Sequence, residues 1–332
     1  MRPVLSKTGS IKKRRRNIVL VGAGDVARRM VAQHANLAQR WIGLSRSQES
    51  SSALRQCGIL PIPGDLDIRR SLQRAANIAR ACQRVVYLAP PPNEGADDPR
   101  IRRWIAARSM RPTSAATARL AAKQRQRKRP AANKPRCVYI STTGVYGDRA
   151  GERVNETSAL IATSARSKRR VIAERLLRAS KSQRVSILRA PGIYSLERLP
   201  IARLRAGTPA LAESDDVFTN HIHADDLAHA AWLALFRAKP RRVMNIVDDA
   251  ELKMGEYFDQ VAEATGLPKP PRLPRLLLQR EVSPMLYSFM SESRRIDNAR
   301  MKRDLRIKLR YPTPSTLLGT VRASDALQRK LL

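Results

Sequence analysis

Aromatic residues make up only 4% of this 332-residue chain, so its many basic side chains have no interleaved stacking platform of the kind that grips single-stranded nucleic acid. Cysteine is scarce too. Cys57, Cys82 and Cys137 stand far apart without a Cys-x-x-Cys, which argues against a disulfide framework and a zinc site and suits a reducing cytoplasm. No apolar run approaches the roughly 18 residues of a membrane-spanning helix. Residues 1–16 carry a basic cluster, Lys12 to Arg16, but lack the apolar core of a secretory signal, and are expected to form a flexible basic arm. Acid is in short supply: 28 Asp+Glu face 64 Lys+Arg, a net charge of +36. Such a balance suits polyanionic partners, nucleic acid among them. The basic residues are spread along the whole chain, however, as on solvated faces. No acidic cluster has metal-ligand spacing, so no metal is expected, and no Gly-x-Ser-x-Gly elbow suggests a hydrolase. Internal repeats are not apparent.

What is present is a 42% hydrophobic content, enough for a sizeable core, in a length that allows about two domains. The most informative stretch is Asn17-Ile-Val-Leu-Val-Gly-Ala-Gly-Asp-Val-Ala-Arg-Arg-Met30. Ile18 to Val21 are consecutive aliphatics, the pattern of a strand buried on both faces of a parallel sheet. Gly22 and Gly24 permit a tight turn, and Val26, Ala27, Met30 and Val31 recur at helical spacing. A helix therefore starts directly after the glycines, its free N–H groups available to an anion. The pattern is G-x-G-x-x-A, with Ala27 where helix and strand pack closely, a dinucleotide-binding arrangement when it follows a strand and opens a helix.

The second strand is read at Trp41-Ile-Gly-Leu44, ending in Ser45-Arg46-Ser47. Arg46, with no acid beside it, can pair with a ribose 2′-phosphate and favours NADP over NAD, unless it is simply solvated. A third strand within residues 58–64 leads to Asp65, which is either a helix N-cap or a ligand contact, and to a helix over residues 68–81. Arg84-Val-Val-Tyr-Leu-Ala89 is a fourth strand, running into Pro90 at the carboxyl end where ligands bind in open α/β sheets. Residues 101–128 alternate apolar and basic side chains at helical spacing, and residues 125–134 form a basic linker. With the strand Cys137-Val-Tyr-Ile-Ser141, the first half reads as a doubly wound parallel sheet.

Ser141-Thr-Thr-Gly-Val-Tyr-Gly147 is similar to the strand-end motif of the extended short-chain dehydrogenase/reductases, the NAD-dependent epimerase/dehydratase family. Further segments agree in order. Val185-Ser-Ile-Leu-Arg-Ala-Pro-Gly-Ile-Tyr194 resembles the family's sixth strand and the turn beside the nicotinamide. Asn220-His-Ile-His-Ala-Asp-Asp-Leu-Ala228 resembles its Ile-His-x-x-Asp-Leu-Ala segment, in which Asp225 or Asp226 would cap the next helix. Val243-Met-Asn-Ile-Val-Asp248 is similar to a later strand, and Ser293-Arg-Arg-Ile-Asp-Asn298 to a late substrate-side motif. The resemblance spans residues 17–320. It implies hydride transfer with a nicotinamide, proton exchange by a tyrosine, a lysine four residues on that lowers the tyrosine's pKa, and a Ser or Thr that orients the carbonyl.

Thr142 matches the orienting hydroxyl, four residues before Tyr146. Anchored on Glu174, the tyrosine and lysine places hold Arg166 and Arg170, and none of the seven tyrosines has a lysine four residues later. Arginine stays protonated and cannot replace a tyrosine as acid, although it can bind an anionic substrate or a cofactor phosphate. The resemblance is therefore to an atypical branch without the Tyr-x-x-x-Lys pair. If proton chemistry survives, the available phenols are Tyr146 and Tyr194 and the available imidazole is His221 or His223, although both histidines are read as structural. Arg294 and Arg295 are candidates for a substrate phosphate or carboxylate, or for surface salt bridges. The segment Leu267-Pro-Lys-Pro-Pro-Arg-Leu-Pro274 is expected to be extended, because each proline fixes φ and bars helix.

The expected architecture is α/β: a Rossmann-type NAD(P)-binding domain over residues 17–190, later strands completing its sheet, and a smaller substrate-binding portion over 191–332. Cofactor contacts are expected from Gly22, Gly24, Asp25, Val26, Arg46, Asp65, Leu88, Ala89, Pro90 and Pro191, with Thr142 and Tyr146 as candidate catalytic residues. The expected function is a cytoplasmic oxidoreductase or epimerase using NADP or NAD on a small-molecule substrate, an anionic one being compatible with the arginines. A non-catalytic NAD(P) sensor or scaffold is the alternative, and nucleic-acid binding through the basic surface a further one. The oligomeric state is not legible, a dimer remaining open.

Overall fold

The computed structural model describes residues 16–37, 39–82, 84–109 and 134–324. Seven parallel strands form one sheet: β1 (Arg16–Val21), β2 (Gln39–Ser45), β3 (Ile59–Pro63), β4 (Arg84–Tyr87), β5 (Arg136–Thr142), β6 (Arg184–Ala190) and β7 (Val243–Asn245). Their spatial order is β3-β2-β1-β4-β5-β6-β7, the doubly wound order with one added strand. The arm expected at residues 1–16 lies outside the described residues save Arg16, and so does the 125–134 linker save Lys134.

The consecutive aliphatics have a direct structural cause. Side chains alternate between the faces of a strand. Ile18 and Leu20 of β1, Val86 of β4 and Val138 of β5 face one layer, where they meet Ala27 and Met30 of α1 (Asp25–Gln33). Val19, Val21, Val85 and Tyr87 face the other, packed on Ile101, Trp104, Ala173 and Leu177. Each fully buried aliphatic side chain contributes about 1.5–3 kcal/mol, which is why a strand covered on both faces tolerates no polar alternation.

The other helices are α2 (Gln48–Gln56), α3 (Gln73–Ala81), α4 (Pro99–Ser109), α5 (Ala165–Ala179), α6 (Ile201–Arg205), α7 (Ala224–Arg237), α8 (Met254–Thr265), α9 (Arg275–Glu281), α10 (Pro284–Met290), α11 (Ala299–Leu305) and α12 (Pro314–Arg322). Several differ from expectation. A 3₁₀ turn, Arg69–Leu72, precedes α3, and β4 stops at Tyr87, leaving Leu88 to Pro90 as loop. α4 realises the start of the basic helical stretch, whose remainder lies outside the described residues. The proline-rich segment is extended through Arg272–Leu273, which pairs with Ala210–Leu211, but α9 follows at once. Its first amide, Arg275 N, donates to Asp215 Oδ2 at 2.8 Å, so the cap comes from a distant segment. The C-terminal portion has its own core, built around Tyr194, Leu204, Tyr257, Phe258, Val261 and Leu318.

Candidate functional site

β1 and β4 are the strands between which the winding reverses, so the crevice at their carboxyl ends is the ligand position of this topology. The amides of Leu88 and Ala89 both donate to Val21 O, at 2.8 and 3.0 Å, and bring the β4 exit against the glycine turn. Gly22 has φ +88°, and a Cβ there would lie 2.6 Å from Ala89 Cα. Only glycine fits. Gly24 is open: a Cβ would meet nothing within 4 Å. It caps α1 without a side-chain hydrogen bond, and the first bond inside the helix runs from Arg28 N to Gly24 O. The amides of Asp25, Val26 and Ala27 are therefore free of helical carbonyls. Asp25 itself is neutralised, paired with Arg29 at 2.9 Å and Arg198 at 3.1 Å.

Two cavities meet over this turn, sharing Gly22, Gly24, Leu88 and Pro90. The smaller, about 520 Å³, runs towards the ends of β2 and β3 and is lined by Arg28, Ser45, Arg46, Asp65 and Leu66. Arg28 and Arg46 are exposed. Asp65 Oδ1 accepts from Asp67 N at 2.8 Å, closing a turn ahead of the 3₁₀ segment rather than capping a helix, and its residue also lines the cavity. The larger cavity, about 920 Å³, lies on the C-terminal side and is lined by Asp25, Val26, Thr142 and Pro191 together with five arginines, Arg166, Arg170, Arg198, Arg203 and Arg294. Ala89 lines neither cavity; buried behind Gly22, it shapes the turn.

Thr142 ends β5 at the cleft. Its Oγ1 accepts from Gly144 N at 3.2 Å, leaving the hydroxyl proton free for a ligand. Tyr146 does not join it. The 3₁₀ turn Thr143–Tyr146 carries the ring inward, where it is fully buried. Its hydroxyl donates to Asn245 Oδ1 at 2.7 Å and accepts from Arg189 at 2.9 Å. Burial also pushes its pKa up. Tyr146, a candidate catalytic residue in the sequence, does not line the cleft in this structure. Arg189 continues the network by a two-pronged bond to Glu174, at 3.1 and 2.7 Å, and Ser141 donates to the same carboxylate at 2.6 Å. This buried chain of partners ties β5, β6, β7 and α5 together.

Arg166 and Arg170 stand one turn apart at the start of α5, where Ser164 caps the helix by accepting from Ser167 N. Arg170 is anchored, donating to Tyr139 Oη at 2.9 Å and Ile140 O at 3.0 Å. Arg166 instead lies 3.9 Å above the Phe289 ring, facing the cleft. Burial pushes its pKa below the usual arginine value, with neighbouring Arg170 and Arg294 adding to that and Glu292 opposing it.

Neither His221 nor His223 lines the cleft. His223 Nδ1 accepts from Asp225 N at 3.1 Å and is itself the cap of α7, so neither Asp225 nor Asp226 has that role. Asp226 accepts from the amides of Arg310 and Tyr311, both at 2.9 Å. His221 is buried against Tyr257, ring centres 4.2 Å apart, and burial pushes both histidines down to about 4. Tyr194 is buried between the two imidazoles. Arg294 reaches the cleft, donating to Gly147 O and pairing with Glu292 at 2.7 Å, whereas Arg295 turns away to Gly151 O. Sequence reading missed Arg28, Arg203, Phe258 and Phe289, which only the tertiary fold brings to the cleft. Among the described residues no group of three or more His, Cys, Asp or Glu is placed to hold a metal ion, and no helix is long and apolar enough to cross a membrane.

No curated protein matches the sequence. Among solved structures, a conserved protein of unknown function from Silicibacter pomeroyi is 27% identical, with a TM-score of 0.70 over 92% of this chain and 98% of that one. A putative NAD-dependent epimerase/dehydratase from Methylobacillus flagellatus is 21% identical, TM-score 0.66, over 93% and 98%. The dTDP-glucose 4,6-dehydratase from Bacillus anthracis, solved in complex with NAD, is 17% identical, TM-score 0.67, over 96% and 100%. The profile of the NAD dependent epimerase/dehydratase family matches residues 18–246, well over half the chain. The chain belongs to the NAD dependent epimerase/dehydratase family.

Proposed function

We propose that the protein binds a nicotinamide dinucleotide, NADP in preference to NAD, and acts as an oxidoreductase or epimerase on a small anionic substrate. The observation that carries this reading is the pair of cavities joined over the Gly22–Gly24 turn, directly at the free N-terminus of α1. Gly22 and Gly24 would hold the pyrophosphate on the α1 amides, and Asp65 and Leu66 the adenosine. Arg28 and Arg46 would take a ribose 2′-phosphate, and Thr142 and Pro191 flank the nicotinamide end. Bound there, the nicotinamide supplies or accepts a hydride. Thr142 hydrogen-bonds to a carbonyl oxygen through its hydroxyl, the proton that this oxygen gains or loses exchanging with solvent, and the Arg166 cation holds an anionic group of the substrate without giving up its proton.

A second reading is favoured by a specific observation: with Arg166 in the acid's place and Tyr146 buried, the cleft presents no phenol to a substrate. In that reading the protein senses the cofactor without turnover. Fluorescence titration with NADPH and NADH tests the binding common to both. NADPH binding in the micromolar range that is lost in Gly24→Asp supports it, and failure to bind either nucleotide overturns it. Substrate-dependent oxidation of NADPH that falls in Thr142→Ala would separate the enzyme from the sensor.

A further inference from the structure

The outer half of the 920 Å³ cleft, beyond Thr142, combines two kinds of surface. One is cationic. Arg166 has no carboxylate or carbonyl partner among the described residues. Arg203 donates to Pro209 O at 3.1 Å and touches Met290 Sδ at 3.1 Å, and its buried Nε has no partner among the described residues. Arg294 also has a buried Nε without a partner among the described residues, although its Nη1 is paired with Glu292. Among the described residues, the acids lining the cleft, Asp25 and Glu292, are each already engaged by arginine.

The other surface is apolar. Phe289 lies under the Arg166 guanidinium, Phe258 under that of Arg203 at 4.3 Å, and Phe218, Met254 and Leu286 complete the wall. Apolar surface continues out of the mouth: Phe289 is 46% exposed and Met285, on the same helix, 73%. Neutral groups suited to sugar hydroxyls are few. Thr219 and Asn220 line this end, and Asn220 is committed, donating to Arg294 O at 2.9 Å and accepting from Ile296 N at 3.0 Å.

We propose that this end of the cleft takes an organic anion with an apolar body, its charged head between Arg166, Arg203 and Arg294 and its aromatic or aliphatic part against Phe289, Phe258 and Leu286. The inference rests on the cofactor reading only in using the same cleft. An arginine stacked on a ring presents its in-plane N–H donors to a carboxylate while the ring continues as apolar contact, so the two surfaces recognise one amphipathic molecule. A sugar nucleotide would leave its hydroxyls facing Phe289 and Phe258 without partners, which costs affinity.

The test is calorimetric titration of the full chain with 4-phenylbutanoate, its neutral amide, inorganic phosphate and UDP-glucose, with NADPH titrated in a separate experiment. We expect 4-phenylbutanoate to bind, the amide to bind at least tenfold more weakly, and Arg166→Gln and Arg203→Gln each to weaken the carboxylate at least tenfold. The exposed Phe289→Ala, which keeps both arginines, should also weaken 4-phenylbutanoate while leaving NADPH affinity unchanged. The proposal is overturned if phosphate or UDP-glucose binds as tightly as the carboxylate, if the amide matches it, or if the variants make no difference. Carboxylate binding without NADPH binding would sink the cofactor reading and leave this one standing. NADPH binding without carboxylate binding would do the reverse.

Discussion

Ala89 Cα lies 2.6 Å from the point that a Cβ on Gly22 would occupy, so the exit of β4 closes directly over the glycine turn. Because Gly22 also has φ +88°, a side chain there meets both backbone strain and a backbone clash. Gly22→Ala should therefore lose more than about 2 kcal/mol of stability in urea denaturation. Gly24→Ala, which enters open space, should stay folded and weaken only dinucleotide binding. Equal stability losses in the two variants would contradict this account of the turn.

Removing the Tyr146 hydroxyl leaves Asn245 Oδ1 and an Arg189 N–H buried without this partner. Tyr146→Phe is expected to cost about 1–3 kcal/mol of stability, with any activity per folded molecule unchanged. Glu174→Gln, which breaks a buried ion pair with Arg189, should cost about 3–5 kcal/mol. An activity that vanishes in folded Tyr146→Phe would restore the tyrosine to the chemistry.

Arg46 should decide between the two nicotinamide cofactors. Arg46→Ser is expected to weaken NADPH roughly tenfold, about 1.4 kcal/mol, and to leave NADH unchanged. Parallel loss of both cofactors in a direct titration would place Arg46 outside the 2′-phosphate site.

Stability should peak near pH 6.5, where the window of two buried histidines ends and that of Asp248 continues up to about 8. Burial pushes Asp248 up to about 8, so between its unfolded value near 3.8 and about 8 the native state binds a proton that the unfolded chain has released. Rising pH through that window is therefore destabilising, by up to about 1.4 kcal/mol per pH unit. Asp248→Asn, which keeps the acceptor for Ala250 N, should flatten that limb of the curve. His221 and His223 act in the opposite direction. Pushed down to about 4 by burial, they lose stability as pH drops below about 6.5, where the unfolded histidines take up protons. Chemical denaturation from pH 5 to 9 measures both limbs, and a wild-type curve unchanged by Asp248→Asn would contradict the assignment.

The parts of the fold legible in the sequence are those set by neighbouring residues. Ile18 to Val21, the two glycines and the start of α1 are contiguous, and the aliphatic run follows from burial on both faces of β1. The absence of a tyrosine at the start of α5 was legible because Glu174 fixes the register. The burial of Tyr146 was not legible, because spacing from Thr142 does not reveal which way a 3₁₀ turn points a ring. α9 was hidden for a similar reason: its capping acceptor is Asp215, sixty positions earlier, behind a run of prolines. The apolar side of the cleft comes from Phe258 and Phe289, whose positions opposite Arg203 and Arg166 are made entirely by tertiary packing.

The most direct test of a dinucleotide site without a tyrosine acid is a crystal structure of the full chain with NADP bound. The account predicts the pyrophosphate on the α1 amides over Gly24, the 2′-phosphate against Arg46 and Arg28, and Thr142 as the nearest hydroxyl to the nicotinamide, with Tyr146 still bonded to Asn245. A pyrophosphate bound elsewhere, or Tyr146 turned into the cleft beside the nicotinamide, would contradict it.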